Sequence, residues 1–121
     1  MNEEQNRRST GSFYEEKAAE YLEGIGMEII CRNFRCRFGE IDLIAKDGQD
    51  LVFVEVKYRK KASEGGALSQ VGYRKQRTIS KVALFYLTRY GLYEKTACRF
   101  DVVGITGEEL VHIKNAFEYC K

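Results

Sequence analysis

Two short apolar segments joined by a turn constrain the fold of this chain more than any other feature. They span residues 39–45 (GEIDLIA) and 51–57 (LVFVEVK). Both are rich in Ile, Val, Leu and Phe, a composition typical of strands, and Asp47-Gly48 between them favours a tight turn. The pattern predicts an antiparallel hairpin in the middle of a sheet, because dense apolar content indicates strands that are covered on both faces.

Charged side chains interrupt both strands of this hairpin. Side chains alternate between the faces of a strand, so Glu40 and Asp42 are expected on one face of the first strand, and Glu55 and Lys57 on one face of the second. The apolar residues between them are expected to point the other way: Ile41, Leu43, Val54 and Val56. Charges on such strands usually need a partner charge or a metal ion.

Three carboxylates beside a lysine suit metal-assisted cleavage of phosphodiesters. Magnesium prefers oxygen ligands and usually takes one or two carboxylates with water, so Asp42 and Glu55 are the expected metal ligands, with the carbonyl of Val56 as a further one. Lys57 would contact the phosphate or position the nucleophile. The alternative is an exposed hairpin face on which Glu40 or Asp42 forms a cross-strand ion pair with Lys57.

Basic residues flank the acidic hairpin in the sequence, although the net charge is only +2. They lie before the first strand, at the end of the second and further along the chain: Arg32, Arg35, Arg37, Lys57, Arg59, Lys60, Lys61, Arg74, Lys75, Arg77 and Lys81. This arrangement suits a polyanion held against a divalent cation. We expect Arg35, Arg59 and Lys75 to contact nucleic acid, and a solvated charged surface is the alternative.

Length and composition narrow the function classes. The 121 residues, 44% of them hydrophobic, are enough for one domain with one modest core. No apolar run approaches the roughly 20 residues of a membrane span, and the polar start is unlike a secretory signal, so we expect a cytoplasmic protein with no membrane contact. The four cysteines show no CxxC spacing and there is one histidine, which argues against structural zinc.

Helical periodicity occurs on both sides of the hairpin. After a flexible N-terminus at 1–11, the predicted elements are a helix, a strand, the hairpin, a loop, a helix and two strands, over residues 12–23, 27–33, 39–57, 60–68, 69–90, 99–105 and 110–113. Residues 114–121 are expected to form a last turn. This order predicts an α/β sandwich with a mixed central sheet and two flanking helices, in a single domain over residues 12–121.

Two further acids are expected to act in support. Glu40 shares a strand face with Asp42 and is expected to tune the site or to pair with an arginine. Asp101 lies in an apolar strand, and we expect it to orient Arg99 or a neighbour rather than to bind metal, because buried acids are usually paired.

The hairpin motifs resemble the PD-(D/E)xK nuclease superfamily, and the chain as a whole resembles the YraN-like family of small bacterial proteins, which is related to archaeal Holliday-junction resolvases. The resemblance covers about residues 11–105. Besides GEIDLIA and FVEVK, it rests on matches in both helices, the first strand and the late strand: Gly11, Glu15, Ala18, Ala19, Tyr21, Leu22, Cys31–Arg35, Lys75, Ala83, Tyr86, Leu87 and Arg99–Val103.

This resemblance implies a restriction-endonuclease-like fold and magnesium-dependent cleavage of DNA, with branched or repair intermediates among the expected substrates. By position it implies Asp42 and Glu55 as metal ligands, Lys57 as the catalytic lysine and Glu15 as an acid that joins the metal site through water. Manganese is expected to substitute for magnesium, and a homodimer is expected because two cuts need two sites. Ile41 replaces the superfamily's proline before the aspartate. A nucleic-acid-binding module of the same fold that does not cleave is the alternative.

Overall fold

The computed structural model describes residues 3–59 and 71–120. In chain order its elements are α1 (Glu3–Gly24), β1 (Glu28–Cys36), β2 (Gly39–Asp47), β3 (Asp50–Arg59), α2 (Tyr73–Arg89), β4 (Cys98–Thr106) and β5 (Glu109–Phe117). The predicted loop at 60–68 lies outside the described residues. Within the described part of the chain, no helix combines the length and the apolar character that a membrane crossing requires.

The strands form one mixed sheet in the order β1-β2-β3-β4-β5. Only β3 and β4 run parallel, and the other three neighbouring pairs are antiparallel. Gly48, at a φ of 62°, closes the predicted hairpin between β2 and β3. Both acidic strands therefore lie inside the sheet, where neighbours on each side satisfy their backbone hydrogen bonds.

Two apolar cores cover the two faces of the sheet. The α1 core consists of Ala18, Ala19, Leu22, Met27, Leu43, Ala45, Val52, Val54, Val56, Val103 and Ile105. The α2 core consists of Ile41, Ile44, Leu51, Phe53, Val71, Ile79, Val82, Ala83, Tyr86, Leu87, Phe100 and Val102. Successive residues of β3 alternate between these cores, so the helices lie on opposite faces. The predicted α/β sandwich is confirmed.

The expected alternation of side chains along β2 is broken at Asp42. Leu43 belongs to the α1 core with Val54 and Val56, whereas Ile41 belongs to the α2 core. The prediction that these four apolar side chains share one face is therefore wrong for Ile41. Strict alternation along β2 therefore fails at Asp42, the residue between Ile41 and Leu43.

The alternation of side chains also fails in the neighbouring strand β1, at Asn33, which lies level with Asp42. Arg32 reaches Glu16 of α1, whereas Phe34, two residues later, packs edge-on against Tyr86 of α2 at 5.2 Å between ring centroids. Asn33 between them has a φ of 53°, a left-handed conformation that asparagine tolerates better than most residues. One residue in a rare conformation thus sends its two neighbours to opposite faces.

Element ends differ from the predictions where tertiary contacts decide them. α1 begins at Glu3 rather than near residue 12, and α2 begins at Tyr73, after the extended residue Gly72. β5 continues to Phe117 in place of the predicted last turn, because it pairs with β4 and the Phe117 ring stacks on Phe100 at 4.9 Å. The flexibility of residues 1–11 stays a prediction.

Candidate active site

Asp42 lies where β2 and β3 separate. The cross-strand pairs between these strands begin at the turn and end at Leu43 and Val54. Beyond that pair, the Asp42 carboxylate takes the place of a backbone acceptor, because its Oδ2 accepts a hydrogen bond from the Val56 N–H at 2.8 Å. A site carboxylate is thereby held by the sheet itself.

Glu55 meets Asp42 from β3. The two carboxyl groups share a hydrogen bond, and only 13% of the Glu55 side chain is exposed. Burial, and then the charge of Asp42, raises the pKa of Glu55 to about 8. Burial also raises the pKa of Asp42, against the opposing effect of the Val56 N–H. Two negative charges on this buried pair are therefore unfavourable.

Lys75 brings a cation from α2 to this pair. Its Nζ lies 3.6 Å from Glu55 Oε1, and half of the lysine side chain is exposed. The charge of Lys75 lowers the pKa of both carboxyl groups, although burial outweighs it. The residue expected to contact nucleic acid is thus positioned at the acidic pair, with one side open to solvent.

Glu15 and Glu40 approach Asp42 from α1 and from β2. One carboxylate oxygen from each of the three residues lies within 4.8 Å of the other two. Burial, followed by the charges of Asp42 and Glu40, raises the pKa of Glu15 to about 7, whereas Arg35 acts to lower it. The first-helix acid therefore lies beside Asp42, and Asp42 belongs to two groups of carboxylates at once.

Lys57 shares a strand face with Glu55, as predicted. Val54 and Val56 pack in the α1 core, and Tyr58 packs against it. Glu55 and Lys57 alternate with these three residues, so their side chains point to the opposite face. Burial, and then the nearby charge of Arg59, lowers the pKa of Lys57, while Glu55 acts to raise it. The lysine therefore loses its proton more readily than an ordinary surface lysine.

The other two residues expected to contact nucleic acid lie at the rim. Three quarters of the Arg35 side chain is exposed, and its Nε donates to Glu40 Oε2 at 3.0 Å. Glu40 thus pairs with an arginine, one of the two roles expected for it. Arg59 Nη1 donates to the carbonyl of Tyr58 at 2.7 Å, which directs this guanidinium along the end of β3.

Asn33 is a site residue that the sequence analysis did not identify. With its amide oriented so that the nitrogen faces the acids, Nδ2 donates to Glu15 Oε2 and to Glu40 Oε1, each at 2.7 Å. The predicted strand, residues 27–33, ended at Asn33, and no site role was expected for this residue. The available signal was an asparagine inside what is a nine-residue strand, and only the fold reveals what it contacts.

The donor set fits a hard divalent cation. Glu15, Glu40 and Asp42 offer carboxylate oxygens within 4.8 Å of one another, and Glu55 interacts with Asp42. Carboxylate oxygens are the ligands that Mg²⁺ prefers. The pKa values of Glu15 and Glu55 are raised first by burial and then by the charge of Asp42. A small open pocket of about 160 Å³ lies on the α1 side of the sheet, where Ser12, Glu15, Glu16, Arg32, Asn33 and Leu43 line it.

Asp101 has the structural role that was expected of it. Its side chain is fully buried and accepts from Arg99 Nε at 3.0 Å and from the Asn115 N–H at 3.0 Å. His112 Nε2 lies 2.8 Å from its other oxygen. Arg99 also reaches Asp47 at 2.9 Å. This cluster joins the β2–β3 turn to β4 and β5.

The chain is similar to a set of bacterial proteins along nearly its whole length. The profile of the uncharacterised protein family UPF0102 matches residues 14–105, a span that contains every predicted site residue. A UPF0102 protein of Lachnoclostridium phytofermentans is 46% identical over 113 residues, which cover 93% of this chain and 96% of that protein. A UPF0102 protein of Geobacter sulfurreducens is 51% identical over 109 residues, which cover 86% of this chain and 84% of that protein. A UPF0102 protein of Aliivibrio fischeri is 46% identical over 119 residues, which cover 96% of this chain and 97% of that protein.

Proposed function

This chain belongs to family UPF0102, the YraN family that its motifs resemble, and we propose that it is a magnesium-dependent nuclease that hydrolyses phosphodiester bonds of DNA. The observation that carries the proposal is the contact between Asp42 and Glu55 inside an apolar sheet, with Glu15 facing Asp42 from α1. Acids crowded in this way repel each other, and a divalent cation relieves that repulsion.

The ion-pair alternative accounts for only part of this arrangement. Arg35 pairs with Glu40, and Lys75 pairs with Glu55, as a solvated charged face would require. However, Glu15 and Glu55 keep pKa values of about 7 and 8 in the presence of these cations. Burial is the first cause of these raised values, and the charge of Asp42 adds to it, whereas acids in simple surface ion pairs have lowered pKa values. The close approach of Glu15, Glu40 and Asp42 supports a site for a further cation.

Each residue of the site has a chemical task in such a reaction. Asp42 and Glu55 would hold the metal ion, with the Val56 carbonyl as a third oxygen, and Glu15 would hold water of its coordination shell. The bound ion would neutralise phosphate charge and make water a better nucleophile. Lys57, whose pKa is lowered, can exchange a proton with that water or place its charge on the phosphate.

The DNA substrate is proposed from the position of the basic residues. Arg35 and Lys75 lie beside acids of the site and keep exposed side chains, and Arg59 ends the strand that carries Lys57. A phosphate backbone that crosses the acidic centre would meet these cations on either side. Branched DNA and a homodimer with two such centres remain part of the proposal.

A cleavage assay that compares two site variants with a matched control variant tests this function. Supercoiled plasmid and a four-way junction are incubated with Mg²⁺, or with Mn²⁺, and with the parent chain, Asp42→Asn, Lys57→Ala or Asp50→Asn. Asp50 is the first residue of β3, next to the hairpin turn, and its side chain is half exposed. Its variant is therefore the matched control. We expect Asp42→Asn and Lys57→Ala to lose at least about 10²-fold in rate, and the control to retain it.

Two results would contradict the nuclease. Equal cleavage by the parent chain and both site variants would mean that the hairpin is not the catalytic centre. DNA binding by the parent chain with neither cleavage nor uptake of Mn²⁺ in calorimetry would instead indicate the non-catalytic binding module.

A further inference from the structure

The conformation of Asn33 determines where its side chain lies. In the register of β1 and β2, Arg32 lies opposite Leu43 and Phe34 lies opposite Ile41, which places Asn33 at the level of Asp42. Its φ of 53° turns the strand there. The Asn33 side chain is therefore presented to the acids that gather around Asp42, rather than to either apolar core.

The Asn33 amide connects two acids that come from different elements. With the amide oriented so that its nitrogen faces the acids, both hydrogens of Nδ2 are used, one on Glu15 of α1 and one on Glu40 of β2, at 2.7 Å each. The second oxygen of Glu40 is held by Arg35 at 3.0 Å. One neutral donor therefore bridges the helix and the sheet, and Glu40 is held by both Asn33 and Arg35.

A neutral bridge suits a site that must hold a cation. Lysine or arginine at this position would also join the two acids, but its charge would compensate theirs and would repel a metal ion. An amide orients the carboxylates and leaves their charge in place. We propose that Asn33 is a positioning residue that holds Glu15 and Glu40 beside Asp42 for metal binding, a role that rests on the proposed nuclease function.

Metal titration of matched glycine variants tests this role. Asn33→Gly removes the amide but keeps a residue that adopts positive φ without strain. Asn115→Gly is the control, because Asn115 has a φ of 52° in β5 and its contact with Asp101 is made by the backbone N–H. We expect Mn²⁺ affinity, measured by calorimetry, to fall about 10-fold or more in Asn33→Gly, as for other groups that orient metal ligands, and to stay unchanged in Asn115→Gly.

The outcomes separate this role from the proposed function. Parent-like Mn²⁺ affinity of Asn33→Gly, with the parent chain binding Mn²⁺, would overturn the role of Asn33 alone. Lack of Mn²⁺ binding by the parent chain would overturn the metal site and this role with it. Urea unfolding of both glycine variants checks that a loss of affinity does not arise from a loss of structure.

A measurement on the parent chain keeps the proposal testable if Asn33→Gly does not fold. In a Mg²⁺ titration followed by ¹⁵N NMR, the side-chain amide signals of Asn33 are expected to shift together with the backbone amide of Val56, which is bonded to Asp42. The side-chain amide of Asn115 is expected to stay in place. A shift of Val56 without a shift of the Asn33 side chain would overturn the proposal.

Discussion

The backbone N–H of Val56 donates a hydrogen bond to Asp42 Oδ2 at 2.8 Å, so this aspartate belongs both to the sheet and to the acidic site. The bond forms where the backbone pairs of β2 and β3 have ended. It makes the position of the carboxylate independent of any ligand. It also means that the charge of Asp42 and its role as an acceptor can be separated by mutation.

Asp42→Asn and Asp42→Ala are expected to differ in stability. Asparagine keeps an acceptor for the Val56 N–H. It also removes a carboxylate whose charged form is disfavoured by burial, as its raised pKa indicates. We therefore expect a free energy of unfolding equal to or above that of the parent chain. Alanine leaves a largely buried N–H unpaired, which lowers stability by about 1–3 kcal/mol. Urea unfolding at pH 8 compares the two, and equal stabilities would contradict a structural role for this hydrogen bond.

The metal-free protein is expected to lose stability as the pH rises from about 5 to above 8. Glu15 and Glu55 have folded-state pKa values of about 7 and 8, both raised from 4.5. The folded state therefore binds more protons than the unfolded state in this window, and the free energy of unfolding falls with pH. Urea titrations across this range should show the slope, weakened in Glu15→Gln and Glu55→Gln but retained in Glu23→Gln, which changes an exposed acid of α1.

The pKa of Glu55 is expected to move in opposite directions when its two charged neighbours are removed. Lys75→Ala should raise it above about 8, because the lysine charge lowers it, and Asp42→Asn should lower it, because the aspartate charge raises it. Lys81→Ala, an exposed position on α2, is the control. The side-chain ¹³C shift of Glu55 against pH gives each value, and no difference between Lys75→Ala and Lys81→Ala would mean that Lys75 does not act on the pair.

The buried cluster at Asp101 is expected to contribute strongly to stability. Asp101→Ala leaves Arg99 and His112 without their fully buried partner, and breaking a buried pair lowers the free energy of unfolding by about 3–5 kcal/mol. Asp50→Ala removes a half-exposed carboxylate 3.8 Å from the same arginine, and should change stability by less than about 1 kcal/mol. Denaturant unfolding measures the stability of both variants, and equal losses would contradict a larger contribution from Asp101 than from Asp50.

Gly39, at the start of β2, is expected to resist substitution because of its neighbour on α2. Its φ is 148°, and a methyl group there would lie 2.7 Å from Thr78 Cγ2. Gly39→Ala should lower stability by about 1–3 kcal/mol through crowding, with backbone strain added. Adding Thr78→Ser, which removes that methyl group, should recover part of the loss. Gly11→Ala in α1, where nothing lies within 4 Å, should be neutral or stabilising.

The hairpin was predictable because its signals are local. The residues of β2 and β3 are strand formers, Asp47-Gly48 is a turn pair, and a two-residue period gives Glu55 and Lys57 one face. The helices follow equally from their periodic apolar positions. The opposite faces of Ile41 and Leu43 were not predictable, because a two-residue period does not reveal that alternation fails at Asp42, level with the left-handed Asn33 of the neighbouring strand.

By itself, the sequence determined the α/β class, the central acidic hairpin and the candidate acids Asp42 and Glu55, because periodicity and turn chemistry act over a few residues. The resemblance implied that Glu15 joins the site, and strand alternation put Glu40 on the face of Asp42. Only the tertiary structure established that Lys75 reaches Glu55 and that Asn33 bridges Glu15 and Glu40. Those contacts join α1, β1, β2, β3 and α2, and they form because the two apolar cores fix the helices on opposite faces of one sheet. Distances across such packing depend on every layer together, and no local pattern encodes them.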